Sequence, residues 1–166
     1  MAIRRFAARV VVLDPMDRVL LFNWANRRRG TNWWATPGGG LEDGEKSTDA
    51  ALRELREEAG IVLDRVEGPL WRSSHFFRSG SAETDGQPKA DLIQQFETFF
   101  LARVATDAVN TEGFDSFEAE IALGHRWWPL DELDSTVEAV YPKKLAALVR
   151  GVLDNGVPAK AVAIKG

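Results

Sequence analysis

The chain has 166 residues, 45% of them apolar and 28% charged, with a formal charge of −4 and a pI near 5.3. These values suit one globular domain spanning residues 1–166, and they speak against general affinity for nucleic acid. The absence of cysteine excludes disulfides and a thiolate nucleophile, two histidines make an ordinary zinc site a poor fit, and no apolar run reaches membrane-span length.

The opening MAIRRFAARVVVLDP carries early arginines and a short apolar run that Asp14-Pro15 ends without a small-residue cleavage site. It reads as a first strand rather than a signal peptide, which places the protein in the cytoplasm. Phe6 to Leu13 and Val19 to Trp24 are predicted strands joined by the turn Asp14-Pro15-Met16-Asp17. Asn26 to Asn32 is a polar, basic loop, and Pro37-Gly38-Gly39-Gly40 excludes helix.

Asp49 to Ala59 is rich in Ala, Leu, Glu and Arg and predicts a helix. Ser47 or Thr48 is placed to cap its start, and Gly60 to end it. At helical spacing Leu52, Leu55 and Ala59 share one face, and Glu54, Glu57 and Glu58 crowd a neighbouring one. Like charges so placed weaken an isolated helix, and Arg53 and Arg56 offset this only in part. A divalent cation between the carboxylates accounts for the crowding, and hard carboxylate oxygens suit Mg²⁺ or Mn²⁺. Residues 39–61 hold seven acids and three bases, so this one segment matches the net charge of the whole chain. Such a site repels anions, and a metal must mediate any encounter with one.

Beyond the helix, Leu70 to Phe77 is a predicted strand, Arg78 to Asp91 a polar loop, and Leu92 to Val104 a long strand. Thr106 to Phe117 reads as a loop and Ile121 to Trp128 as a strand. A short helix is predicted to start over Pro129 to Leu133, and an amphipathic one covers Pro142 to Leu153. The irregular alternation predicts an α/β or α+β fold around a mixed sheet. Arg27, Arg28 and Arg29 form a basic run suited to phosphate. Of the tryptophans, Trp24, Trp33, Trp34 and Trp71 could stack a base, with core as the default for each.

Gly39 to Ile61 reads GGLEDGEKSTDAALRELREEAGI. With Gly39, Glu45, Arg53-Glu54-Leu55, Glu57-Glu58 and Gly60-Ile61 at their spacings, it resembles the Nudix box, G-x5-E-x7-R-E-U-x-E-E-x-G-U with U aliphatic. Every fixed position is filled, which chance achieves on the order of 10⁻⁹ per start site. The resemblance implies an α/β/α sandwich with a mixed sheet and the box on a loop–helix–loop. It also implies a metal-dependent pyrophosphohydrolase, in which water attacks a diphosphate bond of a nucleoside diphosphate derivative or nucleoside triphosphate.

Carried over by motif position, Glu54 and Glu58 are metal ligands, with Glu57 joining directly or through water and the Gly38 carbonyl adding an oxygen. Arg53 is expected to fork onto a box carboxylate, with Glu45 as first choice. Glu97, a charge inside the apolar run Phe96 to Leu101, is expected to point at the box helix as a further ligand or as base. The base otherwise comes from Glu57 or Glu54, or from Glu112, Asp115, Glu118 or Glu120, which the sequence does not rank. Short tags of ADP-ribose, diadenosine polyphosphate and coenzyme A hydrolases are not recognised, which leaves a small nucleotide-type substrate. No nucleic-acid or membrane partner is expected, and a homodimer is compatible. The alternatives are a non-hydrolytic nucleotide sensor, against which the intact box argues, and an isoprenyl diphosphate isomerase, which resembles an activity needing a cysteine.

Overall fold

The fold is organised by strands whose alternate residues feed two separate cores. In this computed structural model, residues 1–79 and 91–166 are described, together with the backbone of 82–84 and 87–89. The elements are β1 (Ile3–Leu13), β2 (Val19–Asn26), β3 (Thr31–Ala35), β4 (Gly38–Gly40), α1 (Ser47–Ala59), β5 (Glu67–Arg78), β6 (Ala82–Thr84), β7 (Gln87–Lys89), β8 (Leu92–Arg103), α2 (Ser116–Ile121), β9 (Ala122–Trp128), α3 (Leu130–Ser135), β10 (Val140–Tyr141), α4 (Leu145–Asn155) and β11 (Val162–Ala163).

The main sheet runs β10-β3-β2-β1-β8-β5-β11, with β4 on β1 and β9 on β2. It is mixed: β1 and β8 pair parallel, whereas β1–β2, β1–β4, β2–β3, β2–β9 and β5–β8 are antiparallel. Ala8, Val10 and Val12 of β1, Leu20 and Phe22 of β2, and Phe100 and Ala102 of β8 face α1, which contributes Ala50, Ala51, Leu55 and Ala59. Their neighbours Val11, Leu13, Val19, Leu21, Phe99 and Leu101 face the other way, against Leu133 of α3 and Leu145, Ala146, Val149 and Val152 of α4. Period-two alternation on strands buried on both sides thus yields an α/β/α sandwich, as expected.

Several local expectations are corrected. Lys46 occupies the N-cap of α1 with no side-chain bond, so neither Ser47 nor Thr48 caps it, while Gly60 ends the helix at φ 66° as expected. Leu52 is only half-buried, because α1 presents Ala50 and Ala51 to the sheet instead. The basic loop is shorter than 26–32, since β3 begins at Thr31, and the 106–117 loop gives way to α2 at Ser116. Of the loop expected from Arg78 to Asp91, β6 and β7 form an antiparallel pair, and most of the rest lies outside the described residues. Trp24, Trp34 and Trp71 are buried in the two cores and are not placed to stack a base.

Candidate metal centre on the box helix

The centre is built where β1 exchanges one neighbour for another. Along one edge β1 pairs with β8 throughout; along the other it pairs with β2 only at Leu13, and with β4 at Ala7, Ala8 and Arg9. The Pro37-Gly38-Gly39-Gly40 segment therefore wedges into the sheet beneath α1. Space there is minimal. A Cβ on Gly39 would stand 2.3 Å from Glu54 Oε1, and one on Gly38 would stand 2.2 Å from the Ala8 carbonyl oxygen at a φ of 148°. Only glycine lets the backbone come this close to the helix carboxylates.

On α1, Glu54 and Glu58 are buried although charged in their ordinary state. The Gly38 N–H donates to Glu58 Oε2 at 3.0 Å. Arg53 uses its whole fork: Nε and Nη2 bond Glu45 Oε1 and Oε2 at 2.9 Å each. Its Nη1 bonds Glu54 at 3.0 Å and Glu57 at 3.2 Å, and Nη2 also bonds the Gly40 carbonyl at 3.0 Å. The expected Arg53–Glu45 fork is thus formed, and the bond from Arg53 holds the Glu45 carboxyl down at about 2. Glu57 lies at the edge of this group, its side chain 41% exposed.

A third carboxylate arrives from elsewhere in the chain. Oxygens of Glu54, Glu58 and Glu118 lie within 4.8 Å of one another, the set among the described residues best arranged for a metal ion. Glu118 sits on α2, where it completes a capping box with Asp115: its N–H donates to Asp115 Oδ1 at 2.8 Å, and its Oε1 accepts from the Asp115 N–H at 3.3 Å. The segment leading to α2 is fixed by the Asn110 N–H on the Ala59 carbonyl and by Phe114 packed against Phe22 and Trp24. Asp115-x-x-Glu118 carries the capping-box pattern, which marks a short helix, but nothing local shows that it faces α1.

Burial raises the proton affinity of all three. Glu58 is pushed well above the usual carboxylate range by burial, helped by its contact with Glu118 and opposed by the Gly38 N–H. Glu54 is raised by burial against the pull of Arg53, and Glu118 is raised by burial too. This is the signature of a carboxylate cluster that lacks counter-charge at its centre.

Other expected site residues stand elsewhere. Glu97 does not point at the box helix. Strand alternation puts it with Phe99 and Leu101 on the α4 side, and its Oε1 accepts Arg9 Nε at 2.9 Å. Gln95 Nε2 at 2.9 Å and Ser73 Oγ at 3.2 Å complete its partners. Burial alone would raise Glu97; the charge and hydrogen bond of Arg9 reverse this and hold it below its ordinary value. Arg9 was not singled out from sequence, although a base two residues from Ala7, the register partner of Glu97, signals a pair between neighbouring strands. Arg27 is spent on α2: Nη1 pairs with Glu120 Oε1 at 2.6 Å and Nη2 bonds the Glu120 carbonyl at 2.9 Å. Arg28 and Arg29 are exposed on the turn between β2 and β3.

Comparison with known proteins gives one consistent answer. The profile of the NUDIX domain family matches residues 3–149. The RNA pyrophosphohydrolase of Pasteurella multocida is 29% identical over 154 residues, covering 88% of this chain and 74% of that protein. That of Haemophilus ducreyi is 32% identical over 143 residues, covering 81% and 68%. Among solved structures, a MutT protein from Methanosarcina mazei superposes with a TM-score of 0.60 at 14% identity over 90% of this chain and 92% of that one. A C. elegans Ap4A hydrolase binary complex gives 0.59 at 19% identity over 90% and 96%. At such identities the structural matches speak for the fold.

Proposed function

The chain belongs to the Nudix family of hydrolases acting on diphosphate bonds, and from that premise we propose that it is a Mg²⁺- or Mn²⁺-dependent pyrophosphohydrolase of small nucleotides centred on Glu54, Glu58 and Glu118. The observation that carries this is the convergence of those carboxylates within 4.8 Å. Their chemistry fits the ion. All the donors are hard oxygens, and their raised proton affinity is what a cation would relieve. A bound divalent ion would acidify a water and neutralise charge on phosphate oxygens.

The chain's own residues do the rest. Glu54 and Glu58 would hold the ion, and the Gly38 carbonyl has a second lone pair to offer it beside the bond from Arg9. Glu118, whose proton affinity burial raises, would take the proton of the attacking water in its carboxylate form. Glu57, at the open edge, would join the ion directly or through water. Arg53 and Glu45 fix the carboxylates without touching substrate. Glu97 has no part in the centre.

For substrate, we favour a free nucleoside triphosphate or a nucleoside diphosphate derivative, acted on by one domain in the cytoplasm. The acidic chain argues for a free nucleotide over an RNA 5′ end, despite the activity named for its relatives. No helix among the described residues is long and apolar enough to cross a membrane. The test is a panel of nucleotides, with a short 5′-triphosphorylated RNA beside them, incubated with Mg²⁺ and read as phosphate released after coupling to a phosphatase. Cleavage of at least one nucleotide that stops in excess chelator is expected. Silence across the panel with Mg²⁺ and with Mn²⁺, or full turnover in chelator, overturns the reading.

A further inference from the structure

The Gly38 peptide is gripped from both ends. Its N–H donates to Glu58, and its carbonyl accepts Arg9 Nη1 at 3.1 Å. Arg9 thereby stands one peptide unit from the carboxylate centre. It is held from behind by a dense polar group: Nε on Glu97, itself bonded by Gln95 and Ser73, with His75 Nδ1 3.9 Å from the same carboxylate. A buried ion pair of this kind seldom adds stability over an apolar pair of equal size. Holding a cation rigidly at one place is a different matter.

Donor accounting shows what that cation has to offer. Arg53 spends every donor nitrogen on the protein. Arg27 is committed to Glu120. Arg9 Nη2 makes no hydrogen bond to another described residue, and the Arg9 side chain remains 23% exposed. A guanidinium clamped at two nitrogens and unbonded at the third is pre-organised to receive an oxyanion.

We propose that Arg9 contacts a phosphate of the substrate, next to the one attacked, through Nη2, and that Glu97, Gln95 and Ser73 are positioning residues that hold its guanidinium for this. The assignment rests on the hydrolase reading above. It gives the buried Glu97 a role that needs no metal, and it supplies fixed positive charge on the side of Gly38 away from Glu58. The two clamped nitrogens set the plane of the fork, so the two N–H groups of the free one donate within that plane.

Imidodiphosphate with Mg²⁺, titrated by calorimetry at constant ionic strength, is a suitable probe, beside Mn²⁺ binding without probe by electron paramagnetic resonance. Arg9→Gln should weaken imidodiphosphate on the order of 10- to 100-fold, the usual loss for a charge-assisted hydrogen bond. It should leave Mn²⁺ affinity within about three-fold, and raise KM for a cleaved nucleotide more than it lowers kcat. Glu97→Gln, which frees the guanidinium but keeps its charge, should give a smaller loss of the same kind. If Arg9→Gln fails to fold, Arg9→Lys, which keeps charge but not the fork, should still bind the probe more weakly than wild type. Unchanged KM and probe affinity in the folded variant overturn the proposal, as does loss of Mn²⁺ and probe in equal proportion, which would make Arg9 a prop for Gly38. Failure of the wild-type chain to cleave any nucleotide would sink the hydrolase reading instead.

Discussion

Glu58 and Glu97 are both glutamates, 3% and 8% exposed, on opposite faces of one sheet. Equal burial ought to raise both, yet Glu58 is pushed far up and Glu97 is held down. The difference is what each carboxylate meets. Glu97 has a guanidinium, an amide and a hydroxyl folded against it. Glu58 has one backbone N–H, two other carboxylates and only the charge of Arg9 beyond the Gly38 peptide. One site is finished by the chain itself, whereas the other is left short of positive charge. In this molecule the shortage, more than the burial, marks the place where something must bind.

Substitution by glutamine should separate the two sites most sharply. Glu58→Gln should cut turnover on the order of 10²-fold or more by removing a ligand, while the metal-free protein gains stability or holds level. Glu97→Gln should do the reverse to stability, costing about 2–4 kcal/mol because Arg9 loses its partner. Denaturant melts of the two variants without metal read this directly, and equal shifts of the same sign would erase the contrast.

Acidity gives a second separation. Glu54, Glu58 and Glu118 bind protons more tightly folded than unfolded, so their contribution is fully present below an unfolded value of about 4.3 and is lost as pH rises through their folded values. Glu97 and Glu45 behave oppositely: their contribution is present above about 4.3 and is lost as pH falls through the folded value, about 2 for Glu45. Thermal melts across pH should therefore show Mg²⁺ or Mn²⁺ stabilising the protein far more at pH 8 than at pH 5. A metal effect that does not vary with pH would place the ion away from the cluster.

The smallest effect concerns the reach of α2. Arg27→Ala breaks an exposed pair and should change stability by less than about 1 kcal/mol. Turnover should still fall several-fold, because Glu118 then loses one of the ties that bring it to α1. Turnover equal to wild type would show that Asn110 and Phe114 suffice.

How much of this was readable beforehand follows from the range of each interaction. The box helix, its Gly60 stop and the Arg53–Glu45 fork lie within one short segment, where spacing fixes geometry. Hydrophobic runs and turns are local signals as well, and they made the mixed sheet legible, whereas the sandwich was implied only by the resemblance of the box. Glu118 was visible only as one of four later acids, since its meeting with Glu58 depends on how the 106–115 segment returns over α1. Glu97 was misplaced for a definite reason. Strand alternation sets Phe99 and Leu101 on the face of Glu97 and Phe100 and Ala102 on the other, but both pairs are core, and pattern alone does not say which one α1 covers. The Arg27–Glu120 pair was not legible because its two residues stand 93 apart in the chain.

The neighbours of β1 also bear on how the chain reaches this state. Ile3 is opposite Ile93, and Leu13 is opposite Arg103, in a parallel ladder along the whole of the first strand. On a ribosome the Val10-Val11-Val12-Leu13 run emerges early and waits for a partner made more than half a chain later. Such distant parallel pairing folds slowly, and until β8 arrives the strand offers two apolar faces and an open edge to other chains. Efficient production of this protein should therefore depend on dilution, low temperature or a chaperone during synthesis more than on the stability of the finished sheet.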